Sequence, residues 1–299
     1  MKYQYLVVVG IFLIILYGSL FLWLFNEWMN NPYYSHGLLI PFICFFLLFL
    51  KKDNIKKSLS PKETVRSTSE KNSFFADDQT KALLFLSAGI FLYFIGFFQA
   101  FAFLMMCSFL LVIMGIILYF SNTVLLSLVW FPIIYFIFAI PLPFVFLSQI
   151  SLQLQSIALI GSSSLLQLFG FTVKTVGSEI YLEHLQFYIG LPCSGIYSLI
   201  ALIALTTLFI SFLGGKKTKK VLLLLFSIPL AIIVNLIRVL LIMLIAYYLD
   251  LNVAMNFFHD FSSPFLFILS FLLLMTLAKI IGCNFDLDQF NTIRIQQEE

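Results

Sequence analysis

Three side chains able to make or break a bond stand on otherwise apolar segments. They are Cys193 in LPCSGIYSLIALIAL, Arg238 in IVNLIRVLLIML and His259 in NFFHDFSSPF. An ionisable side chain at bilayer depth costs at least a few kcal/mol, so its presence there calls for a task or a partner. Proline suits the first turn of a helix, so Pro192 predicts that Cys193 lies in a partly positive N-terminal turn, where the thiolate is favoured. Such a thiolate is a nucleophile toward a carbonyl, giving a thioester. His259 can take up the thiol proton and later protonate the leaving amine. Arg238 stays charged in apolar surroundings and can hold a developing oxyanion or a substrate carboxylate. Asn235 stands three residues before Arg238 on the same helix face and can orient it. Ser194 and Gly195 complete the Pro-Cys-Ser-Gly setting and are read as substrate-binding or supporting residues.

Plainer roles compete with these. A single cysteine on an apolar helix is most often a packing residue, the reading given to Cys44, Cys107 and Cys283. The four cysteines form neither a metal set nor a disulfide framework, and no cofactor or metal is expected. His36, in YYSHGLLIP, also lies at the outer end of a span and rivals His259 as general base on geometry alone. His184, beside Glu183, reads as structural or rim-lining.

The elements that must carry these residues are membrane helices. The chain is 62% hydrophobic and 10% charged, with 37 phenylalanines and a mean hydropathy of +1.05. A water-soluble domain has no use for that much apolar surface, so the chain is an all-α polytopic membrane protein. Its net charge of +3 follows membrane topology and does not suggest nucleic acid. Apolar runs predict eight spans, near 5–25, 36–50, 82–99, 101–120, 123–141, 193–214, 221–249 and 264–282. The first run is too long for a signal-peptide core and reads as a retained helix. The stretch 144–170 carries Ser148, Gln149, Ser151, Gln153, Gln155, Ser156 and a Gly-Ser-Ser-Ser run, which predicts an interfacial or re-entrant helix pair.

Lysine and arginine set the orientation. The loop 51–81 and the GKKTKK loop at 215–220 are both strongly basic and are expected in the cytoplasm. Cys193, Arg238 and His259 then converge on the outer face, provided that 144–170 does not cross completely. Both termini fall inside. The polar stretch 171–190, with a Gly177-Ser178 turn signal, predicts a short extracytoplasmic β-hairpin leading into Pro192-Cys193. The Lys/Ser-rich loop is expected to be disordered. The organisation read from sequence is thus two helices in 1–50, a cytoplasmic loop 51–81, a catalytic core 82–282 and a cytoplasmic tail 283–299.

The runs PCSGIYSLIAL and NLIRVLL and the His of FFHDFSSP, in that order and at those intervals, resemble the exosortase/archaeosortase family. YYSHGLLIPF is similar to that family's early Tyr-Ser-His-Gly element, and PLP followed by a polar amphipathic stretch fits as well. The resemblance covers roughly 30–282. It implies an integral-membrane cysteine transpeptidase or protease of the cell membrane. Its substrates would be secreted proteins ending in a short motif such as Pro-Glu-Pro, a transmembrane helix and a basic tail. It further implies Cys193 as nucleophile, Arg238 as transition-state stabiliser and His259 as acid/base, with cleavage at the outer face and transfer to an acceptor of unknown identity. The long charged loop 51–81 and the polar tail 283–299 depart from a compact member. Two other readings stand beside this one. A transporter or flippase would use Arg238 and Asn235 as an anion or headgroup site, and a non-catalytic assembly or polysaccharide-export partner would need none of the three residues.

Overall fold

A computed structural model describes residues 2–59, 71–254 and 259–286. The described chain is helical apart from one small sheet, and seven of its helices are long and apolar enough to cross a membrane. It is a multi-pass membrane protein, as composition demanded. Two further apolar helices, at 123–139 and 196–211, are shorter. The chain divides into two compact units, Met1–Leu142 and Pro143–Phe290. The division falls inside the 82–282 segment drawn from sequence.

The first unit holds α1 (Lys2–Asn30), a 3₁₀ turn (Pro32–Leu38), α2 (Leu39–Leu50), α3 (Lys52–Leu59), α4 (Lys71–Phe98), α5 (Ala102–Phe120) and α6 (Thr123–Tyr135). α4 and α5 form an antiparallel pair in close contact. Gly89 and Gly115 allow it, since a Cβ at either would fall about 2.7 Å from Val112 or Leu86. Part of the loop expected to be disordered is the helix α3. Its Ile55 packs beside Leu125, Leu128 and Val129 of α6. Asp53 in its first turn and Lys56 and Lys57 in its last match the helix dipole. Pro132 leaves the carbonyl of Leu128 without its helical donor, and Lys51 Nζ donates to that oxygen at 3.2 Å.

The second unit carries α7 (Phe144–Leu168), three strands, a 3₁₀ turn (Leu191–Ser194), α8 (Ile196–Ser211), α9 (Lys217–Tyr248) and α10 (His259–Ile281). α7 corrects the expected helix pair, for it is one unbroken helix of 25 residues. The Gly-Ser-Ser-Ser run does not break it. Ser162 and Ser163 return their hydroxyls to the carbonyls of Ala158 and Ile160, and Gly161 lies against Leu236 of α9, with no room for a Cβ.

The hairpin expected over 171–190 gains a strand. β1 (Val173–Val176), β2 (Glu179–Leu182) and β3 (Leu185–Tyr188) form an antiparallel sheet in the order β1-β2-β3. The second turn, Glu183-His184, gave no Gly or Asn signal, and Glu183 takes φ +51 there. Ile180, Leu182, Phe187 and Ile189 sink into a core with Ala158, Leu159 and Leu166 of α7 and Val239, Ile242 and Met243 of α9. At the opposite end of this unit, residues 283–286 fold back on the loop after α8. Gly214 N–H donates to Asn284 O at 2.8 Å, and Lys219 Nζ donates to Ile281 O at 2.6 Å.

Candidate active site

Cys193 does not open a helix. It sits in the 3₁₀ turn, with its N–H donating to Gly190 O at 3.0 Å, and α8 begins only at Ile196. The reason is Gly195, whose φ of +81 stops one helix and starts the next. That conformation suits glycine, and space demands it too, since a Cβ there would fall 2.5 Å from Asn235 Cγ. Ser194, 2% exposed, accepts the Ile196 N–H through its Oγ at 3.4 Å. Two side chains hold this turn from outside. Asn235 Nδ2 donates to the carbonyl of Cys193 at 3.1 Å, and Gln155 of α7 donates to the carbonyl of Ile189, where β3 leads into the turn.

Asn235 and Arg238 lie one turn apart on α9, 5% and 8% exposed. Both line a narrow crevice between α8, α9 and α10, with Ser198, Ser270 and a wall of Leu202, Ala231, Val234, Leu266 and Phe267. About 10 Å³ of it is open to the centre of a water molecule, roughly enough for one. Asn235 Oδ1 is buried and has no hydrogen-bond partner among the described residues. A buried carbonyl oxygen without a donor costs about 1–3 kcal/mol, so this atom is poised to accept from a bound group. Arg238 brings a fixed positive charge to the same wall.

Asn235 thus touches the turn of Cys193, Ser194 and Gly195, and Arg238 shares the crevice with Asn235 one helical turn further on. His259 is the first residue of α10. Its imidazole lies outside the described residues. Its backbone stands seven residues before Leu266 of the crevice wall, about 10 Å of helical rise. His36 belongs to the first unit, in the 3₁₀ turn after α1. There its ring bonds the Phe138 backbone, its Nε2 is buried with no hydrogen-bond partner among the described residues, and the neighbouring Gly37 leaves room only for Trp28. His184 is exposed beside Tyr247, with ring centroids 6.3 Å apart. Cys44 bonds Pro132 O and Cys283 is buried. Among the described residues, no group of three or more His, Cys, Asp or Glu is close enough to hold a metal ion.

Sequence reasoning missed Gln155, Ser198 and Ser270. Gln155 counted only as one of the polar residues of 144–170, yet it is buried and bonds the carbonyl of Ile189. Ser270, alone in FLFILSFLLL, was the only polar residue of its stretch and could have been flagged.

The molecule is a polytopic helical membrane protein in which the Cys193 turn is tied to a buried Asn-x-x-Arg helix. A family model described as transmembrane exosortase (Exosortase_EpsH) matches residues 28–276, and the chain belongs to that family. No curated protein and no solved structure matches it.

Proposed function

We propose that the protein is a membrane cysteine transpeptidase or protease that cleaves the C-terminal sorting segment of secreted proteins. The observation that carries this reading is the bond from Asn235 to the carbonyl of Cys193, with Arg238 one turn away in the same crevice. The thiolate of Cys193 attacks the scissile carbonyl, and a C–S bond forms as the carbonyl electrons move to oxygen. Arg238 faces the resulting oxyanion, and its charge needs no reorganisation as the negative charge develops. The C–N bond then breaks, and the amine departs with a proton from His259, which took it from the thiol. Water or an acceptor nucleophile releases the thioester.

The orientation belongs to the same proposal. Basic loops 51–81 and 215–220 on the cytoplasmic side require an even number of crossings between them. Five apolar helices, α4 to α8, lie in that interval, so one of them must lie along the bilayer. We assign α7 to that role. Its hydropathy of 1.5 is the lowest of the seven long helices, and it exposes Gln149, Gln153 and Ser156 beside Ile150, Leu152 and Ile157. It packs against the sheet, the Cys193 turn and the second half of α9. Arg238, ten residues or about 15 Å of rise before the end of α9, then lies in the outer leaflet of the cell membrane.

The test is processing of a tagged reporter carrying the C-terminal segment of a secreted protein from the same genome. Cys193→Ala should abolish cleavage at normal protein level, and Cys193→Ser should nearly do so, because an alkoxide is far harder to generate than a thiolate. Cleavage by the alanine variant would refute the proposal. A transporter would show the reverse pattern, needing Arg238 and not Cys193.

A further inference from the structure

The two edges of the sheet differ. β1 carries Lys174, one of the devices that keep an edge strand from pairing with another chain. β3 reads LQFY, without charge, proline or glycine. Nothing pairs with its far side among the described residues. Tyr188 is 70% exposed and Gln186 is exposed as well.

The register says which backbone groups face outward. Ile189 N–H donates to Ser178 O, and β2 and β3 pair as Ile180 with Phe187 and Leu182 with Leu185. In an antiparallel ladder the bonded pairs alternate with unbonded ones. Ser178–Ile189, Ile180–Phe187 and Leu182–Leu185 are therefore the bonded pairs. Glu183 N–H donating to Thr172 O fits the same alternation on the β1 side. Gln186 and Tyr188 are left with N–H and C=O both directed to the open edge. Their neighbours Phe187 and Ile189 are anchored in the core, so this edge is rigid. Tyr188 is five residues before Cys193 on a backbone pinned by Gln155 and Asn235.

We propose that β3 is the substrate-docking edge. An extended peptide segment flanking the scissile bond adds to it as a fourth strand, taking backbone hydrogen bonds from Gln186 and Tyr188, and is so led to the sulfur of Cys193. Strand addition of this kind draws affinity from the main chain and leaves selectivity to side-chain pockets. It suits a catalyst that must accept several proteins sharing only a short motif. The inference rests on the proposed thiol chemistry but can fail independently of it.

The experiment is a proline scan in the full-length membrane protein, using the same reporter. Gln186→Pro removes one outward N–H and is compatible with the ladder to β2, since proline is tolerated where the N–H faces away from the sheet. Thr175→Pro does the same on the β1 edge, and Gln186→Ala keeps the backbone donor. Gln186→Pro should slow reporter cleavage about tenfold, Gln186→Ala far less, and Thr175→Pro not measurably. Maleimide labelling of Cys193 should remain at the wild-type rate in all three. Wild-type cleavage by Gln186→Pro, equal losses in Gln186→Ala or Thr175→Pro, or loss of Cys193 labelling would each overturn the docking edge. Cleavage by Cys193→Ala would instead overturn the chemistry beneath it.

Discussion

The two units each enclose a space, and the two spaces are opposites. In the first unit a pocket of about 480 Å³ lies between α1, α4 and α5, walled by residues such as Phe12, Leu16, Ile90, Phe94 and Ile116. Two of its three tyrosine hydroxyls are engaged, Tyr17 with Ser108 at 2.9 Å and Tyr93 with Leu16 O at 3.1 Å. In the second unit the crevice between α8, α9 and α10 has room for about one water molecule, yet Asn235, Arg238, Ser198 and Ser270 line it. Volume alone would point to the first as the working site. The cost of burying polar groups points to the second, because an arginine and an open amide oxygen among apolar helices are held there against several kcal/mol. Apolar space in a membrane protein fills with lipid without consequence, whereas polar atoms there must be held for a reason.

Substitutions can break this contrast, in descending order of effect. Arg238→Leu should cut reporter cleavage by about a thousandfold, in line with loss of a charged transition-state contact. Arg238→Lys should recover only part of it, because an ammonium lacks the planar fork. Gly195→Ala should lower cleavage by about a hundredfold, since strain at positive φ, about 1–3 kcal/mol, adds to the clash with Asn235. Reporter processing at matched protein levels measures all three. Asn235→Ala should cost about tenfold in cleavage through the lost donor to Cys193 O. It should also change the maleimide reactivity of Cys193, which a purely structural defect elsewhere would not do. Gly161→Leu should act mainly on stability, lowering the thermal midpoint of the detergent-solubilised protein by forcing α7 from Leu236, at about 1–3 kcal/mol. Ile116→Trp, which fills the first unit's pocket, should leave cleavage within about twofold. A large loss there would make the two spaces functionally equal and end the comparison.

Much of this was legible in the chain. Length and apolarity marked α5 and α9 nearly to their ends, and α1 and α4 except for the five residues that end α1 and the eleven that start α4, because a bilayer leaves few alternatives for such runs. The order Cys193, Arg238, His259 pointed to one site; Asn235 ties the Cys193 turn to the helix that carries Arg238, and the His259 side chain lies outside the described residues. What the sequence hid was decided by tertiary contacts. Gly161 and the serines after it looked like a break, but Gly161 gives α9 close approach and the serines satisfy themselves within α7. Pro192 suggested a helix start at Cys193, but Gly195 in a left-handed conformation delayed it to Ile196. Gln155 did not stand out from the other polar residues of 144–170 because its role depends on the carbonyl of Ile189, far away in sequence. The third strand had no turn residue to announce it, and burial of Ile180, Leu182 and Phe187 against α7 and α9 accounts for it.

The central claim is that the sulfur of Cys193 forms a covalent bond to the substrate. Mass spectrometry of the protein purified with its reporter tests it most directly. The account predicts an adduct on the peptide containing Cys193, released by neutral hydroxylamine as a thioester must be and absent from Cys193→Ala. Reporter cleavage that proceeds with no adduct on Cys193, or an adduct on another residue, would contradict it.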